Sequence, residues 1–161
     1  MVGALEHVDL FVSKAADEVL RMYRQEIDLP ATARVLHDKT ASAVPVGDFY
    51  YGTYHTLVVA PATSNSVAKF VWGISDSLVT NVFAQAGKCR VPVIVFACDT
   101  APEMDTEAPK GMVKVYPRRI DLENTARLKG FDDTVVVETL DDLRAAIAVR
   151  QRELGVVAKG G

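Results

Sequence analysis

Residues 57–70 read LVVAPATSNSVAKF. The apolar run 57–60 has strand character, and a helical pattern follows over 66–72 until Gly73 stops it. Between them stand Pro61, Thr63, Ser64, Asn65 and Ser66, more small polar side chains than a strand-to-helix turn needs. One Ser or Thr is enough to cap a helix. The surplus points to a polar ligand at that helix N-terminus, where unpaired N–H groups and the positive dipole end favour oxygen atoms and negative charge.

Outward from this stretch, strands and helices alternate. Residues 8–12 form a strand pattern, and Ala16, Val19, Leu20 and Tyr23 recur at helical spacing. Residues 28–54 carry Pro30, Pro45, Gly47 and Gly52 and read as connection, with a short strand near Val35 and a short helix near Phe49. A helix capped by Asp76 runs to Ala86 and ends at Gly87. Residues 91–97 are a continuous β-branched and aromatic run, expected of a central strand buried on both faces. The acidic, Pro-containing stretch 99–111 reads as a mobile loop. A strand at 113–116, a helix at 122–128 and a strand at 134–138 follow. Leu140, Leu143 and Ile147 line one face of a last helix, capped by Thr139 or Asp141, and the tail 155–161 frays. The expected fold is α/β: one domain over residues 1–161, with an open parallel sheet covered by helices on both faces.

Composition removes several function classes. The apolar runs 57–62 and 91–98 fall far short of the roughly 20 residues a membrane span needs. His7 and Asp9 interrupt the only candidate leader, so a cytoplasmic protein with no membrane contact is expected. The net charge of -3 and a single basic pair, Arg118 and Arg119, argue against nucleic acid. Cys89 and Cys98 have neither metal-ligand nor disulfide spacing, and His7, His37 and His55 have no triad or metal partner at the required spacing. No metal is expected, and neither GxGxxG nor a P-loop is present.

In open parallel sheets ligands bind beyond the carboxyl ends of the strands. Ser13, the 61–65 segment, Cys98 and Asp99 all fall there. Ser13 either caps its helix or, with the helix N–H groups, holds a phosphate. Thr63, Ser64 and Asn65 offer hydroxyls, an amide and free N–H groups to a heterocycle. Ser75, Asp76 and Ser77 open the next helix, where capping is the simpler reading and ligand contact the alternative. Phe70 and Trp72 fit core or interface, and Lys69 fits a solvated surface.

Pro61, Ala62, Thr63, Ser64, Asn65 and Ser66, followed by Gly73, Ile74, Ser75, Asp76, Ser77 and Leu78, resemble two linked motifs of the homo-oligomeric flavin-containing cysteine decarboxylases. Residues 11–23, FVSKAADEVLRMY, resemble that family's second strand and helix, whose serine contacts the FMN phosphate. The chain is most similar to the archaeal-type flavoproteins and the bacterial dihydromethanopterin reductases. The resemblance implies a flavodoxin-like or Rossmann-like sheet, bound FMN, and a homotrimer that can build a larger closed shell. It implies cofactor contacts at Ser13, Thr63, Ser64, Asn65, Ser75, Asp76, Ser77, Cys98 and Asp99. Phe70, Trp72 and Phe83 are expected to add aromatic surface to the subunit interface. The chain opens at the counterpart of the family's second strand, so these residues contain no counterpart of its glycine phosphate loop. The decarboxylases' catalytic histidine is not matched, and residues 102–107, PEMDTE, lack the amide and tryptophan of their substrate clamp. The expected activity is therefore electron transfer from reduced FMN to a pterin or a second flavin, with Arg118 and Arg119 meeting this second ligand. A decarboxylase of the same fold and a non-catalytic flavin carrier are the alternatives.

Overall fold

The computed structural model describes residues 7–24, 26–38 and 44–155. Strand β1 (Asp9–Val12) leads into helix α1 (Lys14–Tyr23), and β2 (Arg34–His37) pairs with β1 in parallel. A 3₁₀ segment, Val44–Tyr51, then inserts Phe49 into the core. Next come β3 (Leu57–Ala62), α2 (Ser64–Trp72), α3 (Leu78–Lys88) and β4 (Val93–Ala97). An antiparallel hairpin, β5 (Met104–Ala108) and β6 (Gly111–Val115), precedes α4 (Arg119–Leu128), β7 (Thr134–Val137) and α5 (Leu140–Glu153). The tail beyond residue 155 lies outside the described residues.

The parallel α/β architecture is as expected, but its strands pair in separate groups. β3, β4 and β7 form a parallel sheet with β4 in the middle, while β1 and β2 form their own ladder. The two groups are joined by packing: α3 touches β1, β3 and β4, and Phe11 of β1 packs against the main core. The 99–111 stretch is not wholly loop. Its acidic residues Asp105 and Glu107 lie on an exposed two-stranded ribbon, paired opposite Lys114 and Met112. Such a ribbon needs no apolar face, so its strands carry no hydrophobic alternation for sequence reading to detect.

Burial explains the strand patterns. β4 is covered on both sides, with Val93 and Val95 facing the α2 and α3 layer and Ile94 facing Val137 and Leu143. β3 alternates, so Leu57 and Val59 are buried while Val58 is exposed. Its register with β4 shifts between Val59 and Ala62, where Pro61 has no N–H to give the ladder. Phe70 and Phe83 stack inside the core with ring centroids 4.0 Å apart. The expected aromatic interface surface thus reduces to Trp72, 61% exposed, with Arg127 over its ring. The sequence places these rings on two successive helices, but does not show whether the same chain or another covers them.

Side-chain caps set most of the helix starts: Ser13 for α1, Thr63 for α2, Ser77 for α3 and Thr139 for α5. Ser77 takes the role expected of Asp76, because Thr80 reciprocates its bond in a capping box while Asp76 turns to Lys69. No helix of the described residues is long and apolar enough to cross a membrane.

Gly73 ends α2 at φ 68, with nothing within 4 Å of where a Cβ would stand. Gly73→Ala should therefore cost only the backbone term, about 1 kcal/mol. Leu78 is fully buried, and Leu78→Ala should cost about 2–5 kcal/mol by loss of contacts and cavity formation. Urea denaturation of the two variants checks the ranking, and a Leu78→Ala loss no larger than that of Gly73→Ala would remove Leu78 from the core.

Candidate functional site

The carboxyl ends of β3 and β4 are tied together where the backbone N–H of Cys98 donates to the carbonyl of Ala62 at 3.0 Å. That bond sets the start of α2 beside Asp99. Thr63 caps α2 through a long contact, its Oγ1 accepting from the Ser66 N–H at 3.4 Å. The N–H groups of Ser64 and Asn65 begin the helix and have no intrahelical partner. The Asn65 side chain is exposed, and Ser64 Oγ donates to the Asp99 carboxylate.

A cavity of about 300 Å³ opens here, lined by Ser64, Asp99, Arg118, Asp121 and the segment from Val115 to Pro117. The hairpin leaves β4 at Asp99 and returns to the same place at Tyr116, so residues far apart in sequence share one wall. Asp121 is buried and holds Arg118 from three donors. Its Oδ2 accepts the Arg118 backbone N–H at 2.9 Å and Nε–H at 3.0 Å, and its Oδ1 accepts Nη2–H at 2.8 Å. These bonds keep the Asp121 carboxyl below the ordinary aspartate range and raise Arg118, to which the Asp99 charge adds a little. Asp99 has no cationic partner among the described residues. Burial, then the Asp99 charge, pushes the Cys98 thiol up. Cys98 is thus a neutral thiol at ordinary pH and not the nucleophilic thiolate.

The expected site residues occupy three places. Ser64 and Asp99 line this cavity with Arg118, and Thr63, Asn65 and Cys98 adjoin it in sequence. Arg119 is 91% exposed and pairs with Glu123. It does not line the cavity, whereas Arg118, the extended N-cap of α4, does. Ser75, Asp76 and Ser77 sit past the far end of α2, about 13 Å away along nine residues of helix. There Ser75 borders a second cavity of about 220 Å³ with Lys69, Phe70, Ile74 and Phe131. Lys69 binds Asp76 at 2.8 Å, so it is paired and not merely solvated. Ser13 stands at the end of β1, its Oγ accepting the Ala16 N–H at 3.0 Å.

Two arrangements were missed by sequence reading. Asp121, three residues into α4, had a visible signal in the reach of an N3 acid back to the cap N–H. Asp9, Arg34 and Tyr54 had none. Arg34 Nε donates to Asp9 at 2.9 Å, Tyr54 Oη donates to Asp9 at 2.5 Å, and Asp48 lies 3.3 Å from Arg34 Nη2. Arg34 holds Asp9 below the carboxylate range, while burial and then Asp9 push the Tyr54 hydroxyl up. This network fastens β1 and β2 to the residues just before β3.

The chain has relatives among known proteins. The family model described as Flavoprotein matches residues 1–155. The chain belongs to the Flavoprotein family. The crystal structure of Burkholderia xenovorans DmrB in complex with FMN, described as a cubic protein cage for redox transfer, superposes with a TM-score of 0.84 at 50% identity, covering 94% of this chain and 84% of that one. A dihydromethanopterin reductase (acceptor) of Methanosarcina mazei is 42% identical over 110 residues, covering 63% of this chain and 46% of its own length. An uncharacterised Methanocaldococcus jannaschii protein is 34% identical over 144 residues, 87% of this chain and 77% of that one. This flavoprotein chain thus spans less than half the length of the named Methanosarcina reductase.

The Asp121 anchor has a definite acid signature. Its carboxyl lies below the ordinary 3.8 in the folded chain, so its stabilisation is complete above that value and is lost as pH falls through the folded one. Wild type should lose stability more steeply than Asp121→Asn below about pH 4. Denaturation midpoints across that range measure it, and parallel acid slopes would contradict the anchoring role.

Proposed function

We propose that the protein is an FMN-dependent oxidoreductase that passes electrons to a pterin-type acceptor, dihydromethanopterin or a close analogue, taking it to the tetrahydro level. The observation that carries this reading is the 50% identity, over 94% of the chain, to a redox-transfer protein crystallised with FMN. The acceptor class follows from the 42% identical Methanosarcina reductase.

The residues present fit the cofactor. The free N–H groups of Ser64 and Asn65, the exposed Asn65 amide and the Thr63 hydroxyl are the groups an isoalloxazine edge requires. The α2 dipole favours the negative charge of a reduced ring. Ser13 and the α1 N-terminus suit a phosphate in the same way. FMN supplies the electron-carrying chemistry when bound, and the protein supplies position, charge and exclusion of water. Thr63, Ser64 and Asn65 orient the ring, neutral Cys98 closes one side, and Arg118 orients the acceptor. Ser75, Asp76 and Ser77 lie at the opposite end of α2, so in this reading they meet the flavin held by a neighbouring subunit. The single domain would then complete its site only within a homotrimer, itself part of a larger closed shell. Exposed Trp72 beside these residues suits an interface core. The compartment we assign is the cytoplasm, and the pathway is one-carbon metabolism.

Purified protein should carry FMN, identified from the released chromophore. Its reduced form should be reoxidised anaerobically by dihydromethanopterin or dihydrofolate in stopped-flow absorbance. Lack of FMN affinity, or reoxidation no faster with any dihydropterin, would overturn the reading. Asn65→Asp places a carboxylate against ring carbonyls and should weaken flavin binding by about 1–3 kcal/mol. Light scattering should give a multiple of three subunits, and a flavin-replete monomer would exclude the shared site.

A further inference from the structure

Asp99 and Arg118 stand on one cavity wall without pairing to each other, and this determines what the cavity can read. The Arg118 guanidinium is occupied by Asp121 along its Nε and Nη2 edge, which leaves Nη1 free to donate. Asp99 is the opposite case. Its Oδ2 accepts from Ser64 Oγ, and among the described residues its Oδ1 has no partner and no cation neutralises it. A half-buried carboxylate left with one hydroxyl partner gains by accepting from two adjacent N–H groups. The wall therefore presents a two-oxygen acceptor and a cationic donor, and its complement is a flat edge bearing two donors beside one acceptor.

Flavin does not have that edge. Its pyrimidine ring offers carbonyl, N–H, carbonyl, so a carboxylate would face one donor flanked by two repelling oxygens. A 2-amino-4-oxopyrimidine offers amino, N–H, carbonyl, in the order this wall requires. We propose that Asp99 is a specificity-determining residue for the second ligand, accepting from its 2-amino and N3–H groups while Arg118 donates to its O4. The inference rests on the reading of this cavity as the acceptor site, and it moves Asp99 from the cofactor set to the acceptor set. Exposed Tyr116 on the same wall supplies an aromatic surface for the ring. Ser64 links the two sets, because its backbone N–H begins α2 while its hydroxyl steers Asp99.

The probe pair is 6,7-dimethylpterin and 6,7-dimethyllumazine, which share the N3–H and 4-oxo groups and differ at C2, amino against oxo, with the N1 proton that the oxo form adds. Binding to the flavin-loaded, oxidised protein is followed by equilibrium dialysis, so turnover is not the readout. Wild type should bind the pterin about ten- to a hundredfold more tightly, the effect of losing one hydrogen bond to a charged group and gaining a carbonyl against it. In Asp99→Asn the ratio should fall to within about threefold, because the amide both accepts and donates. Undiminished discrimination in Asp99→Asn, or loss of its flavin, would overturn the assignment. If that variant does not fold, the wild-type ratio decides, and a value near one overturns it. Wild type that is reoxidised by dihydropterins yet does not discriminate the probes sinks this inference alone. Wild type that neither binds the pterin nor is reoxidised by dihydropterins sinks the proposed function with it.

Discussion

The pairing of β3 with β4 is the constraint on which the rest of the molecule depends. It begins where the Leu57 N–H meets the Pro92 carbonyl and ends where the Cys98 N–H meets the Ala62 carbonyl. The last of these bonds sets the β3 and β4 side of the site, while α4 packed on α2 carries Arg118 and Asp121. That bond brings together the strand that continues into α2 and the strand that continues into Asp99 and the hairpin. The register shift at Pro61 lies just before it, so the chain leaves the sheet at Thr63 and not a residue sooner. β4 can bear this load because its own side chains are buried on both faces and its flank is held by β7.

The other ladder is attached differently. β1 and β2 share no ladder bond with the β3, β4 and β7 sheet. Their attachment is a side-chain matter: Phe11 stands edge-on to Tyr54 at 6.0 Å, Phe49 lies 4.6 Å from the same ring, and Arg34 bridges Asp9 and Asp48. An aromatic and ionic junction permits more relative movement than a ladder, since its contacts depend on rotamers as well as on register. Ser13 sits on this second group, while Ser64 and Asn65 sit on the first. In the proposed function, one ligand would therefore span two structural groups within the subunit.

How much was legible follows from which forces are local. The β4 run, the Gly73 stop, the Thr139 cap and the polar turn after β3 were all readable, because each expresses the chain's own conformational preference. The motif resemblance carried the family, which composition alone would not have reached. The hairpin was missed because a solvent-exposed ribbon has no buried face to leave a pattern. Arg118 and Arg119 look alike as sequence neighbours, but Arg118 is the extended N-cap of α4 held by Asp121, while Arg119 is its first helical residue and pairs with Glu123. Phe70, expected in core or interface, and Phe83, expected at the subunit interface, stack against each other; two rings on different helices meet only once α2 and α3 fold together. The Asp9 network links residues 25 and 45 positions apart, beyond any local pattern.

The least legible feature, and the one with most chemical consequence, is that one cavity holds two carboxylates with different fates. Asp121 is buried and fully engaged by Arg118, which fixes the guanidinium before any ligand arrives. This pair of a buried carboxylate and an exposed guanidinium has a role beyond stability: it holds the cation to Asp121, and Asp99 is left without an ion-pair partner among the described residues. Side-chain freedom already given up in the free protein is not lost again on binding. The three bonds at Asp121 therefore keep one fixed donor and one open acceptor beside the N-terminus of α2, which is the arrangement the proposed two-ligand site requires.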